Sequence, residues 1–348
     1  MTSNTSPPIV PTAPGLAKRR VGRFYLTSEL GKGSNGAVYL GHDPVIDRDV
    51  AIKTLTAATG MADRKQREQQ FINEARAAGR LSHPNIVTIY DASSEGGTTF
   101  IAMEFLQGQD LREQLADGKR FDILETARIV SRVASALAYA HENGVIHRDI
   151  KPANIFILPN KQPKVVDFGI ARAPNRILSD QAHPEQTLFN NNILGTPNYM
   201  SPEQATGQQV TALTDVYSLG AVMYEMLTQQ KPFQAPDIDK LLQQIAQKIP
   251  KAPSEISANV PVSLSNIVMK AMQKNPAARY ASAAEMELAL EKFLSRDKRL
   301  KRKRLINRDT ESRDDGTKSG EKGTLFWLSC CAVAVAIVIV LIKGPWFK

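Results

Sequence analysis

This chain predicts an α+β fold of two unequal lobes, a small strand-rich lobe carrying one helix and then a larger, mainly helical lobe. Three observations carry that expectation: apolar residues alternate with period two through the first hundred residues, one helical stripe interrupts them, and long helical periodicity takes over after Gly108. Strands are expected at 24–30, 37–42, 50–55, 87–92 and 99–105. The helix at 66–81 spaces Phe71, Ala75, Ala78 and Leu81 three and four apart, which gives one apolar stripe to lay against the strands. Beyond Gly108, helices are expected at 123–143 and 215–228, and a last helical pattern ends near Phe293. The small lobe is thus bounded at 24–104, the larger at 109–295, with 104–108 as the connection, and no internal repeat is visible.

Composition supports one large folded domain. At 348 residues and 42% hydrophobic content the chain can fill a core, which excludes a long disordered protein. Its net charge of +9 is concentrated: residues 296–308 hold eight basic residues against one acid, seven of the nine charges. The remainder is near neutral, so no basic face for nucleic acid is expected. Cys330 and Cys331 are the only cysteines and both lie in an apolar run, which excludes a disulfide framework, a cysteine metal site and a catalytic thiol.

The ends read differently from the middle. Residues 1–20, with Pro7, Pro8, Pro11 and Pro14 among Ser and Thr, read as a disordered arm without the apolar stretch of a signal peptide. Residues 296–324 are a charged linker containing Gly316, Gly320 and Gly323. Residues 325–342 are eighteen uncharged positions, which as a helix reach about 27 Å, close to the hydrocarbon thickness of a bilayer. A buried core helix would need a partner domain that its flanks do not supply, so a single membrane span is expected, with 343–348 as a short tail beyond it. The basic run before the span favours a cytoplasmic folded domain.

The residues that carry chemistry lie in order. His147-Arg148-Asp149-Ile150-Lys151-Pro152-Ala153-Asn154 is followed by Asp167-Phe168-Gly169. Moving a terminal phosphoryl group needs one carboxylate to orient the attacking hydroxyl, a second carboxylate and an amide oxygen to hold a divalent cation, and a positive charge beside the phosphates. Asp149, Asp167, Asn154 and Lys151 supply those four. Upstream, Gly31-Lys32-Gly33-Ser34-Asn35-Gly36-Ala37-Val38 can bring backbone N–H groups close to phosphate oxygens, although a tight hairpin would use the same glycines. Val50-Ala51-Ile52-Lys53 ends a strand in a lysine that either snorkels to water or grips phosphates, and Glu74, beside the apolar helix stripe, is its candidate counter-charge.

Taken together these motifs resemble the eukaryotic-type (Hanks-type) protein kinases, in particular their bacterial Ser/Thr branch, over about 270 residues. The resemblance implies the bilobal protein kinase fold, with a small antiparallel sheet and one helix beside a mainly helical lobe. It implies ATP with Mg²⁺ or Mn²⁺ and a catalytic set of Asp149, Lys151, Lys53 and Glu74. Nucleotide contacts would come from Gly31, Gly33, Gly36, Val38, Lys53, Glu104, Asn154 and Asp167, with Asn154 and Asp167 holding the metal. Lys151 two positions after Asp149 resembles the Ser/Thr class. His147 is expected to pack behind the loop, with no base chemistry assigned to it.

Arg148 resembles the arginine of kinases whose activation segment, here 167–203, is ordered by phosphate, with Ser179, Thr187 and Thr196 as the candidate acceptors. Ser201-Pro202-Glu203 stands where the family usually has Ala-Pro-Glu. Glu203 is expected to pair with Arg279 and Asp215 to brace the catalytic loop. The expected activity is γ-phosphoryl transfer from ATP to Ser/Thr hydroxyls of proteins, at the cytoplasmic face of the inner membrane. Expected partners are protein substrates, the chain itself by autophosphorylation or as a homodimer, and the membrane, with no nucleic acid. Two alternatives are a pseudokinase scaffold, which predicts a missing chemical group, and a small-molecule phosphotransferase, which does not need the 195–203 docking segment.

Overall fold

The computed structural model describes residues 19–33, 36–55, 61–168, 197–296 and 299. Residues up to Phe293 form one compact unit, to which the elements below belong. Residues 1–18 of the arm expected at 1–20 and the span expected at 325–342 lie outside the described residues, while Arg20, at the end of that arm, is in a strand. Among the described residues, no helix is long and apolar enough to cross a membrane.

Strands β1 (Arg20–Val21), β2 (Phe24–Gly33), β3 (Gly36–Asp43), β4 (Arg48–Leu55), β5 (Ile89–Glu95) and β6 (Thr98–Glu104) form one antiparallel sheet in the order β1-β2-β3-β4-β6-β5. Alternation explains it. On one face Phe24, Leu26, Tyr39, Val50, Ile52 and Phe100 close into a buried cluster, with the rings of Phe24 and Phe100 edge to face at 5.8 Å. The neighbouring positions Ala51 and Lys53 therefore fall on the opposite face, and the register sets Lys53 between Val38 on β3 and Ile101 on β6.

The sheet begins earlier than its strand pattern predicts. Arg20 pairs with Tyr25, and the Leu26 N–H reaches the Arg19 carbonyl at 3.0 Å. Strand β5 sits two residues later than expected because Val87 donates to the Val165 carbonyl at 3.0 Å, and Ile86 bridges Val165 as well. Those residues tie the small lobe to the larger one and do not extend the sheet.

Helix α1 (Met61–Ala78) packs Phe71 and Ala75 against Ile101. It starts before the expected position 66 and ends sooner: Gly79 closes its last turn, while Leu81 is buried from the connection that follows.

The larger lobe contains α2 (Leu111–Ala116), α3 (Ile123–Glu142), α4 (Pro202–Ala205), α5 (Ala212–Thr228), α6 (Ile238–Gln247), α7 (Pro253–Ile256) and α8 (Val262–Ala271), then a last helix from residue 283. Asp122 caps α3 by accepting the Glu125 N–H at 2.7 Å, and the apolar stripe of α3 buries Ile129, Val133, Leu137 and Ala140. Helix α5 is apolar nearly all round and is buried along almost its whole length, the behaviour of a core helix. Gly220 lets α8 approach it: a Cβ there would stand 2.8 Å from the Cβ of Ala271. Three short strands, β7 (Gln109–Asp110), β8 (Ile155–Ile157) and β9 (Pro163–Val165), form a second sheet in chain order. At two or three residues each they are too short to show a period, yet they carry the loops of the site.

Candidate active site

The loop 147–154 is held from below by one buried carboxylate. Asp215, on α5, accepts the N–H groups of His147 and Arg148 at 2.8 Å each and faces His141 Nε2 at 2.7 Å. This is the bracing expected of it, and three contacts compensate the burial of its charge. Arg148 follows in left-handed backbone at φ +65°, and Asp167 does the same at +56°. Non-glycine residues adopt that region at a penalty, and such residues gather at functional sites.

His147 is fully buried, and burial pushes its imidazole below the ordinary value. Its neutral form fits its two partners. Nε2–H donates to the Val166 carbonyl at 3.0 Å, and Nδ1 accepts the Asp149 N–H at 3.3 Å. Its ring lies 4.7 Å from that of buried Phe168. A ring committed on both nitrogens is structural, as the sequence predicts.

Above this floor the expected groups converge. Lys151 Nζ donates to Asp149 Oδ2 at 2.7 Å, and Asn154 Nδ2 donates to the Asp149 carbonyl at 2.8 Å and to Oδ2 at 3.2 Å. From the sheet, Lys53 Nζ reaches Asp167 Oδ1 at 2.7 Å, an ion pair that joins the lobes. Burial pushes the Asp167 carboxyl up, but the charge and hydrogen bond of Lys53, with a smaller push from Lys151, hold it below the usual carboxylate range. Asp167 is therefore anionic wherever the protein is folded at neutral pH.

The helix turn bearing Glu74 belongs to α1 and lies next to Ala75, which packs on Ile101, the register neighbour of Lys53. The Glu74 side chain lies outside the described residues, as do Gly169, Ser179, Thr187 and Thr196.

The glycines divide by role. A Cβ on Gly36 would overlap the Thr54 carbonyl, so that glycine serves the β3–β4 contact. A Cβ on Gly31 would meet nothing among the described residues, so packing does not demand a glycine there. Gly33 pairs with Gly36 at the mouth of the hairpin. Beneath it, Val38, Ala51, Met103, Leu106 and Val166 belong to one apolar cluster contributed by both lobes and their connection, a surface suited to a flat aromatic base.

Glu104 is placed at the connection, but its carboxylate is engaged: Oε2 takes the Lys164 ammonium at 2.8 Å and the Thr88 N–H at 3.3 Å. Its N–H donates to the Thr88 carbonyl at 2.9 Å, so what Glu104 can present to a nucleotide is its main-chain carbonyl. Asn154 and Asp167 offer the hard oxygen donors that Mg²⁺ takes, and an ion bound through one or two side chains plus phosphate oxygens needs no larger acidic cluster. Among the described residues there is no group of three or more His, Cys, Asp or Glu that could hold a metal.

Glu203 and Arg279 make the expected ion pair, at 2.8 and 2.7 Å in fork geometry. Thr214 and the carbonyls of Leu213, Gln273 and Lys274 complete their hydrogen bonds.

Of the apolar cluster beneath the hairpin, Met103, Leu106 and Val166 belong to no motif singled out in the sequence. Sequence reasoning also missed Lys164, whose signal was a lysine inside an apolar strand. Gln204 was missed too, although Ser201-Pro202-Glu203-Gln204 is a readable capping signature.

Residues 24–291 match the family model described as Protein kinase domain. The chain belongs to the protein kinase family. The chain is 36% identical over 297 residues to the serine/threonine-protein kinase PrkC of Bacillus subtilis, covering 85% of this chain and 44% of that protein. Against the serine/threonine-protein kinase PknB of Mycobacterium leprae it is 39% identical over 272 residues, covering 77% and 42%. The chain thus spans less than half the length of these relatives. The kinase domain of Mycobacterium tuberculosis PknI superposes with a TM-score of 0.61 at 26% identity, over 79% of this chain and 98% of that one. The small antiparallel lobe and the helical lobe are those of the protein kinase fold, and the family uses ATP and a divalent metal.

Proposed function

We propose that this protein transfers the γ-phosphoryl group of ATP to Ser and Thr hydroxyls of proteins and autophosphorylates its activation segment. The observation that carries the reading is the convergence of Lys53 on Asp167 at 2.7 Å beside Asp149, Lys151 and Asn154, groups drawn from both lobes into one cleft. When bound, Mg²⁺ would neutralise charge on the phosphates, with Asn154 and Asp167 as its holders. Asp149 orients the acceptor hydroxyl and takes its proton, while Lys151 places positive charge where the transferring group carries negative charge. Lys53 steadies the phosphates from the sheet side, and the apolar cluster around Ala51 and Val166 holds the base away from water. A pseudokinase would lack one of these groups, and each is present.

The finer parts of the reading rest on sequence. The uncharged run at 325–342 supports a single span in the inner membrane with the kinase domain in the cytoplasm, and such a span would favour encounters between two copies. Purified full-length protein with labelled ATP and Mg²⁺ should label itself and a generic protein substrate on Ser or Thr. Absence of transfer to any protein acceptor, or transfer to small molecules alone, would reject the reading.

A further inference from the structure

The serine at the head of Ser201-Pro202-Glu203 leads to a contact outside the roles above. Ser201 Oγ accepts the Gln204 N–H at 3.3 Å, and Gln204 Oε1 accepts the Ser201 N–H at 3.1 Å, a reciprocal capping box that opens α4. With its oxygen so committed, the carboxamide turns its NH₂ the other way, and Nε2 donates to the Arg148 carbonyl at 2.8 Å. Arg148 is the residue in left-handed backbone, and Asp215 Oδ1 holds its N–H at 2.8 Å. Two contacts therefore pin the two ends of one strained residue. The carbonyl that Gln204 holds belongs to the peptide whose nitrogen is that of Asp149, and that N–H in turn reaches His147 Nδ1 at 3.3 Å.

We propose that Gln204 is a positioning residue for phosphoryl transfer. Its carboxamide clamps the Arg148–Asp149 peptide so that the Asp149 carboxylate faces the acceptor hydroxyl, and it makes the orientation of that carboxylate depend on how residues 201–204 are seated. The main-chain N–H of Ser201 fixes which end of the amide faces the loop by holding Gln204 Oε1. The Ser201 hydroxyl supplies the other half of the cap by accepting the Gln204 N–H, which seats the first turn of α4. The proposal rests on the phosphoryl-transfer reading.

The test compares full-length wild type with Gln204→Leu and Gln204→Glu for kcat, KM for ATP, thermal midpoint and pH profile. Leucine removes the clamp with little change in volume, so kcat should fall about 10- to 100-fold, the scale of a small misplacement of a catalytic group, while KM for ATP stays put. Glutamate keeps an acceptor for the Ser201 N–H but sets a carboxylate against the Arg148 carbonyl. A carboxylate set against a carbonyl and partly desolvated is pushed above the ordinary glutamate value, so the kcat of this variant relative to wild type should rise as pH is lowered from about 8 to about 5.5, where the protonated acid regains a donor. A purely structural role would show the same ratio at every pH. Unchanged kcat in Gln204→Leu, or a loss that tracks the fraction unfolded with a pH-independent Gln204→Glu ratio, would overturn the proposal while leaving the kinase reading intact. A wild type that transfers no phosphoryl group would overturn both.

Discussion

Asp149 and His147 are two residues apart, and their environments give them opposite tasks. Asp149 has its carboxylate between Lys151 and Asn154, so Asp149→Asn should lower transfer by about 10²- to 10⁴-fold while ATP binding, which uses other groups, stays measurable by titration. Loss of ATP binding in that variant would show that Asp149 supports the fold of the cleft and not the chemistry. His147 is held neutral by burial. Below about pH 6.5 the unfolded chain takes up a proton that the folded chain refuses, so this stabilisation is complete above that pH and declines below it. The slope is at most about 1.4 kcal/mol per pH unit. In urea melts between pH 7 and pH 5.5, His147→Gln should lose stability less steeply than wild type, and equal slopes would refute the assignment. His147 was legible in the sequence as a loop histidine, but its tautomer was not, because the Val166 carbonyl that selects it lies on another segment.

At the scale of elements, burial decides which contacts matter. Glu203 is pushed up by burial but held below the usual carboxylate range by the hydrogen bonds and charge of Arg279. Its contribution is therefore present above the ordinary carboxylate pKa and is lost only as pH falls through the depressed folded value. Removing one partner strands the other: Arg279→Met or Glu203→Gln should cost about 3–5 kcal/mol. At roughly 2–4 °C per kcal/mol for a domain of this class, calorimetry would read that as a large drop in melting temperature.

Gly220 weighs two effects of opposite sign. Alanine there would gain about 0.5–1 kcal/mol of helix stability but would press its Cβ against Ala271, an overpacking penalty of about 1–3 kcal/mol. The penalty is larger, so Gly220→Ala should be destabilising by about 1 kcal/mol; a stabilised variant would show that α8 can shift. The long helices and the sheet strands were readable because each repeats its pattern several times. The two- and three-residue strands β7, β8 and β9 were not, since too few residues alternate to register a face.

For the whole molecule, the proposal that residues 325–342 anchor the kinase domain predicts a simple partition. Full-length protein should remain with membranes after alkaline extraction, and deletion of 325–348 should release it. If the anchor serves to bring two copies together, the deletion should also lower autophosphorylation in cells, and unchanged labelling would reject that part alone. The charge asymmetry belongs to this scale too: with seven of nine net charges in residues 296–308, attraction to an anionic surface would be confined to that run.

The sequence by itself determined the two-lobed architecture, the family, and the identity and order of the phosphoryl-transfer groups. Those properties are written in local periodicity and in motifs whose spacing survives without knowledge of distance. Only the tertiary structure decided how the groups meet: Lys53 on Asp167 across the lobes, Asp215 under two successive N–H groups, and Gln204 on the Arg148 carbonyl, 56 residues apart in the chain. Such contacts join segments whose separation no local pattern encodes. Their partners are as often main-chain atoms as side chains, and a main-chain carbonyl has no letter in the sequence.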